Sequence, residues 1–186
     1  MATSVGRPRR VLNLDQLRAL LAALLTTDGV EASLAALVVL TGQRAGSIAS
    51  MDWKSIDLDR REWRMPRKGA APWRLPIPTI GFSLMLAASG GVRPDGAVLL
   101  RGGRPIDLTR CRKWLEGRLP AGLVDWSHPE LRRSVLAAMV DAGLSFEIVG
   151  EIAGRRTLAR EDPRWTRRAL RSALDDWARA LADTTS

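Results

Sequence analysis

Hydrophobic residues recur at helical spacing over most of the chain, beginning in the N-terminal third. Asn13 and Gln16 have the spacing of a capping box and predict the start of a helix. The leucines that follow keep one apolar stripe, formed by Leu14, Leu17, Leu21, Leu24 and Leu25. A second helix, predicted over about residues 31–41, is apolar nearly all round and is therefore expected to be buried. Gly42 ends it, and a short third helix is predicted over 44–51.

The middle of the chain departs from helical spacing. Residues 62–66 and 72–77 are short runs that contain tryptophan, and they flank a glycine-containing segment at 67–71. This arrangement is typical of a β-hairpin. The prolines within both runs favour positions at an exposed sheet edge. The pattern that follows predicts a helix over 79–89, a short strand over 97–100, a loop over 101–105 and a helix from Asp107 or Thr109 to Leu119.

The best-marked helix is predicted over residues 127–142. Ser127 and Glu130 have the spacing of a second capping box, and Gly143 supplies a C-terminal stop. Pro129 lies in the first turn, where its missing N–H costs nothing because that group has no helical partner.

Two more helices follow. One is predicted over 145–153, and a long last helix begins with Asp162 as its cap and Pro163 at its first position. That helix reaches about Leu181, and its apolar stripe consists of Leu170, Leu174, Trp177 and Leu181. The predicted fold class is mainly α with one small β-hairpin. Residues 12–183 are predicted to form a single domain after a basic, flexible arm at 1–11.

Composition narrows the class of protein. A chain of 186 residues has the length of one domain. Cys111 is the only cysteine, which excludes an internal disulfide and a cysteine-based zinc site. No apolar run is long enough to cross a membrane, and the first residues lack the apolar block of a secretory signal. A cytoplasmic location is the default expectation, and neither a cofactor nor a metal is expected.

The charge balance indicates an anionic partner. The chain has 29 lysines and arginines against 20 acidic residues, a net charge of +9 and a pI of about 11.3. A pI this high makes nucleic acid the first candidate, with a merely soluble basic protein as the alternative. Seven arginines lie between residues 155 and 171. They form either a solvated helix face or a surface that follows a phosphate backbone.

Three stretches, taken in order and spacing, resemble a known family. They are LTGQRAGSI at 40–48 with MDWKSIDL at 51–58, the hairpin with Lys68 in its turn and RLPI at 74–77, and SHPELRRS at 127–134 with IAGR at 152–155. Together they resemble the catalytic domain of the tyrosine recombinases, the phage integrase family. The resemblance runs from about residue 12 to residue 180, nearly the whole chain.

The resemblance implies a DNA partner and a set of phosphate-binding residues. Members of this family cut DNA with a tyrosine that becomes joined to the 3′ phosphate. Two arginines, a lysine and histidine or tryptophan side chains stabilise the transition state and move protons. Arg44 matches the first arginine, Arg132 the second, and Lys68 the hairpin lysine that protonates the leaving oxygen. Two guanidinium groups suit one phosphate because each offers paired N–H donors to its oxygens.

One departure from the family concerns its histidine, which is expected three residues before the second arginine. Pro129 occupies that position, and His128 lies one residue earlier. One residue corresponds to about 100° of rotation around a helix. His128 is therefore expected to point away from a phosphate held by Arg132 and to be an ordinary first-turn residue.

A second departure concerns the nucleophile. The chain contains no tyrosine, and the only aromatic residue in the expected region, 160–165, is Trp165, whose indole cannot attack phosphorus. Arg155 occupies the next histidine or tryptophan position, where it can bind phosphate but cannot act as a base. Ser47 stands where the family usually has an acid.

These departures predict a catalytically inactive protein that binds double-stranded DNA through a basic pocket, with Arg44, Lys68, Arg132 and Arg155 as vestigial catalytic positions. A regulatory role is expected, in transcription control or in occupancy of a recombination site. The family's N-terminal core-binding domain is expected to be missing, which predicts fewer phosphate contacts and a weaker salt dependence. The predicted DNA contacts are Arg44, Lys68, Arg132, Arg133, Arg155, Arg156, Arg160, Arg164, Arg167, Arg168 and Arg171.

Other interpretations stay open. The protein could be an accessory subunit that assembles with an active recombinase, a second copy or another protein through the last helix. It could be a recombinase that uses a nucleophile from a partner or another hydroxyl or thiol, such as Thr157 or Cys111, or a decaying fragment of a mobile element. The seven tryptophans allow stacking on single-stranded DNA, with core positions expected for Trp53 and Trp63 and exposed positions for Trp73 and Trp165.

Overall fold

Helices dominate the computed structural model, which describes residues 11–67, 70–92, 95–155 and 163–183. The helices are α1 (Leu14–Leu25), α2 (Val30–Thr41), α3 (Ala45–Ala49), α4 (Thr79–Ser89), α5 (Leu108–Glu116), α6 (Ala121–Val124), α7 (His128–Asp141), α8 (Phe146–Ile152) and α9 (Pro163–Ala182). The strands are β1 (Ile56–Asp57), β2 (Glu62–Arg67), β3 (Ala70–Pro76), β4 (Leu100–Arg101) and β5 (Arg104–Pro105). The prediction of a mainly helical fold with a small β component is confirmed.

The centre of the hydrophobic core is α2. Every residue from 34 to 41 is buried, and α1, α3, α4, α5, α7 and α9 all pack against this helix. The burial predicted from its all-round apolar pattern is confirmed, and each fully buried leucine contributes about 1.5–3 kcal/mol. The indole N–H of Trp177 donates to the Val39 carbonyl at 2.9 Å, which fixes α9 against α2.

Both predicted capping boxes are present. In the first, the Asn13 side chain accepts from the Gln16 N–H at 2.9 Å, and the Gln16 side chain accepts from the Asn13 N–H at 3.1 Å. Ser127 and Glu130 make the same reciprocal pair before α7. The stripe on α1 differs from the prediction at two positions, because Leu20, which the prediction left out, is fully buried, whereas Leu25 is 41% exposed. Leu25 lies one residue past the buried Leu24 and so turns away from the core.

The predicted hairpin exists as part of a three-stranded antiparallel sheet with the order β1-β2-β3. Strand β1 pairs with β2 only at Glu62 and Trp63, so Pro66, further along β2, has no partner in β1. Pro66 lies at an irregularity in the β2–β3 pairing, between Met65 and Arg67. A proline there breaks no hydrogen bond to β1. The short strand β1 was not predicted, since two residues carry no alternation.

Other boundaries correct the sequence-based prediction. The loop predicted over 101–105 contains the small antiparallel hairpin of β4 and β5, while Ala97 forms only an isolated bridge to Asp52. The helix expected to reach Leu119 ends at Glu116, and the four-residue α6 was not predicted. Strands β4 and β5 and helix α6 are too short to show a hydrophobic period in the sequence. Their conformation therefore depends on contacts with neighbouring parts of the fold.

The apolar stripe of α9 is buried within the chain, as its spacing predicts. Leu170, Leu174, Trp177 and Leu181 are all buried, and α9 packs against α1, α2, α8 and β3. The sequence suggested that the last helix contacts a partner. In the structure, the apolar face of this helix is already buried against other elements of the same chain. The predicted cap Asp162 lies outside the described residues, as does the predicted arm apart from Val11.

The segment before α1 is held against α7, because the Leu12 N–H donates to Ser134 Oγ at 2.9 Å. None of the helices in the described ranges is both long and apolar enough to cross a membrane.

Candidate functional site

Three arginines that are far apart in the sequence line one cleft. Arg44 lies at the N-cap of α3, Arg132 on α7 and Arg155 just after α8. The cleft has a volume of about 620 Å³, and we call it the arginine cleft. Lys68, the fourth vestigial position, lies outside the described residues. The residues that line the cleft are Gln43, Arg44, Ser47, Ser50, Asp52, Lys54, Ser55, Trp63, Met65, Pro66, Trp73, Arg132, Ala153, Gly154 and Arg155.

A tight left-handed turn places Arg44 at the cleft. Gly42 ends α2 with φ +63°, and its N–H donates to the Val38 carbonyl at 2.9 Å. A Cβ atom at this position would lie 2.9 Å from Leu136 Cδ2. Both the left-handed conformation and this close approach favour glycine. The chain therefore turns from the core into the exposed Arg44 within two residues.

Arg132 joins the two segments that carry the other arginines. Its Nε donates to the Gly42 carbonyl at 2.8 Å, and its Nη2 donates to the Ala153 carbonyl at 3.1 Å. Partial burial lowers the pKa of the Arg132 guanidinium, and the positive charges of Arg44 and Arg155 lower it further. The guanidinium nevertheless stays charged at physiological pH. Its remaining N–H donors are not used by these two bonds.

Gln43 makes a second connection between the same segments. Its side chain is buried, and Nε2 donates to the Ile152 carbonyl at 2.6 Å and to the Thr41 carbonyl at 3.1 Å. Sequence reasoning did not single out this residue. Its place between Gly42 and Arg44 was the available signal, but its long-range partner was not visible in the sequence.

Arg155 follows the glycine that ends α8. Gly154 has φ +81°, and the Arg155 N–H donates to the Gly150 carbonyl at 2.8 Å, so the backbone is fixed while the side chain is exposed. Across the part of the chain that the structure describes, no carboxylate forms a salt bridge with Arg44, Arg132 or Arg155. Their charges are available to an external anion.

His128 lies outside the arginine cleft, as the one-residue offset predicts. Its Nε2 is 3.2 Å from the Leu108 carbonyl, and its ring is 5.9 Å from that of Trp126. Burial lowers the pKa of His128, so the neutral ring is favoured at physiological pH. No histidine appears among the described residues that line the cleft, so general-base chemistry by imidazole is not available from them.

The remaining predicted DNA contacts have different environments. Arg133 is exposed, with a 4.0 Å contact to Glu130, and Arg168 is exposed on α9. Arg167 is half-buried and has an interaction partner. Arg156, Arg160 and the Arg164 side chain lie outside the described residues.

Arg171 differs from the solvated basic stripe that the helix pattern predicted. It donates to the carbonyls of Ile77, Arg60 and Arg61 at 2.9, 2.6 and 3.0 Å. These bonds hold α9 against the end of β3 and the turn before β2, because a guanidinium can donate to several carbonyls at once. Its predicted contact with DNA stays a prediction.

The other wall of the cleft comes from the hairpin and from the turn before β1. Trp53 and Trp63 are buried, as predicted, whereas Trp73 is partly buried rather than exposed. Trp165 lies among the residues whose side chains are not described. Lys54 also lines the cleft and was missed by the sequence analysis. The described residues contain no group of three or more potential metal ligands.

Comparison with known proteins agrees with this architecture. The model of the phage integrase family matches residues 10–160. The integrase from mycobacterium phage Brujita has a similar structure, with a TM-score of 0.64 and 16% sequence identity over 100% of this chain and 66% of that chain. No curated protein sequence matches the chain.

A second similar structure is the Tn1549 transposon integrase in complex with circular intermediate DNA. Its TM-score is 0.57 at 15% identity, covering 98% of this chain and 67% of that chain. The same integrase in complex with transposon right end DNA gives a TM-score of 0.57 at 14% identity, covering 90% of this chain and 67% of that chain. The chain thus spans about two thirds of the length of these integrases. At these identities, the likeness establishes the fold.

Proposed function

The chain belongs to the phage integrase family, and we propose that it binds double-stranded DNA through the arginine cleft without cutting either strand. The observation that carries this proposal is the convergence of Arg44, Arg132 and Arg155 on one cleft, where no described carboxylate forms a salt bridge with them. A phosphodiester supplies the anion that such a site lacks, since guanidinium groups match phosphate oxygens with paired N–H donors. The net charge of +9 favours encounter with a polyanion.

The absence of cutting is inferred from the residues available for covalent chemistry. Strand cleavage by this family requires a tyrosine, and the chain contains none. The single histidine lies outside the arginine cleft, with its Nε2 atom 3.2 Å from the Leu108 carbonyl. Arg155 adds a positive charge where proton transfer would be needed, and it cannot accept a proton. What these residues offer is phosphate binding without an activated nucleophile.

We assign this binding a regulatory role. A protein that occupies DNA without cutting it acts by excluding or positioning other proteins, either at a promoter or at a recombination site. Phosphate contacts carry no base information. Mutating the cleft is therefore expected to weaken binding to all DNA sequences alike.

The proposal is tested by fluorescence anisotropy with a labelled duplex at about 50 mM and about 200 mM salt. Arg44→Gln and Arg155→Gln are expected to weaken binding and to reduce its salt dependence. Arg104→Gln is the matched control, because Arg104 is exposed, lies outside the cleft and changes the net charge equally. No binding by the wild type at low salt, or equal loss in all three variants, contradicts the proposal.

A covalent trap tests the absence of cutting. A suicide duplex, nicked so that a cleaved end diffuses away, accumulates a denaturation-resistant adduct with any active recombinase. None is expected with this protein. An adduct would show that a non-tyrosine nucleophile operates, and mass spectrometry of the linked peptide would identify it.

A further inference from the structure

The arginine cleft is larger than one phosphate group requires. Its volume is about 620 Å³, whereas a water molecule occupies about 30 Å³ in the liquid, so roughly twenty waters would fill it. A phosphate group has five heavy atoms. The three arginines therefore leave room in the cleft for a longer piece of a polyanion.

A turn before β1 places a lysine in this cleft. The Asp52 Oδ1 atom accepts from the Lys54 N–H at 3.0 Å and caps the turn formed by residues 53–55. Trp53 is buried in the core on one side of the turn, while the Lys54 side chain is 75% exposed and lines the cleft. The buried tryptophan thus anchors the turn that presents the lysine.

The charge of Lys54 is only weakly neutralised within the chain. Its Nζ lies 3.9 Å from Asp52 Oδ2. By contrast, Arg64 lies 2.7 Å from Asp57 and Arg112 lies 2.8 Å from Glu116. An exposed ion pair contributes little to stability, because water screens the two charges. Exchanging this contact for a phosphate oxygen therefore costs little.

We propose that the cleft contacts two neighbouring phosphates of one DNA strand, the first through Arg44, Arg132 and Arg155 and the second through Lys54. This inference rests on the proposed function and adds a residue that the sequence analysis did not include. A lysine suits the second position because its ammonium group is a compact charge on a flexible stem that adapts to a phosphate. Ser47, on α3, lines the same cleft.

The experiment compares Lys54→Gln with Lys113→Gln in duplex binding over a salt series. Lys113 is the control because it is exposed on α5, outside the cleft, and the net charge changes equally. Each phosphate contact contributes about 0.9 to the slope of log K against log salt. Lys54→Gln is expected to reduce that slope by about 0.9, with affinity lower by about 15-fold at 50 mM salt and about 4-fold at 200 mM. Lys54→Arg keeps the slope.

The outcomes separate this inference from the proposed function. If the wild type binds DNA and Lys54→Gln matches Lys113→Gln, the second phosphate contact is wrong while the function stands. If the wild type does not bind DNA, the function itself fails. Urea denaturation of both variants, expected to match the wild type because both side chains are exposed, shows that a changed slope does not come from unfolding.

Discussion

Replacement of Arg132 by methionine should weaken both the fold and DNA binding, because this side chain joins two segments as well as lining the cleft. Methionine keeps most of the apolar stem and removes the donors to the Gly42 and Ala153 carbonyls. A hydrogen bond to a charged group contributes about 1.5–3 kcal/mol, and the two bonds made by Arg132 are only partly buried. Relief of repulsion from Arg44 and Arg155 offsets part of the loss. We expect a net loss of about 2 kcal/mol in the free energy of unfolding.

Urea denaturation followed by tryptophan fluorescence measures this loss. With a slope of about 2 kcal/mol per molar urea, the midpoint should fall by roughly 1 M. The matched control is Arg133→Met, one position along α7, whose side chain is exposed and contacts Glu130 only at 4.0 Å. Its midpoint should stay near that of the wild type. If Arg132→Met unfolds at the wild-type midpoint, the argument that Arg132 holds the two segments together is refuted.

Three other predictions use the same chain. Gly42→Ala should cost about 1–2 kcal/mol in urea denaturation, because φ is +63° and Leu136 must move; an unchanged midpoint would contradict this. DNA affinity should stay flat from about pH 6 to 8.5, since the described cleft residues include arginines but no histidine; a transition near pH 6.5 would contradict it. The hydrogen bond from Arg64 lowers the pKa of Asp57. The ionised Asp57 therefore contributes its full stabilisation above about pH 3.9, the ordinary pKa of an aspartate in an unfolded chain. This stabilisation is lost as the pH falls through the lower pKa that Asp57 has in the folded protein. Asp57→Asn should remove that part of the acid dependence in urea titrations, and an unchanged profile would count against it.

The structure also changes how the alternative of a partner-binding last helix is tested. Deleting α9 would remove the buried Leu174 and Trp177 from the core, together with the Trp177 bond to Val39. Such a truncation would unfold the domain rather than isolate a binding function. Substitution of the exposed Arg168 is the gentler probe of the outer face of α9.

The sequence by itself determined the elements whose signals are local. The Asn13–Gln16 and Ser127–Glu130 capping boxes act over three residues, and the spacing of Leu170, Leu174 and Trp177 defines one helix face. Such patterns hold wherever the helix packs, because hydrogen bonds and periodicity within the helix produce them. The family resemblance identified the arginines that line the cleft in the same way, from short motifs in order.

Only the tertiary structure decided what those side chains contact. Arg132 reaches the Gly42 carbonyl across 90 residues and Gln43 reaches Ile152 across 109, so neither bond has a local signature. Packing likewise turned Arg171, a predicted DNA contact, toward backbone carbonyls, and it presented Lys54, which the sequence analysis did not single out, to the cleft. A charged side chain takes its role from the groups that folding brings within a few ångströms of it, and those groups come from distant parts of the chain.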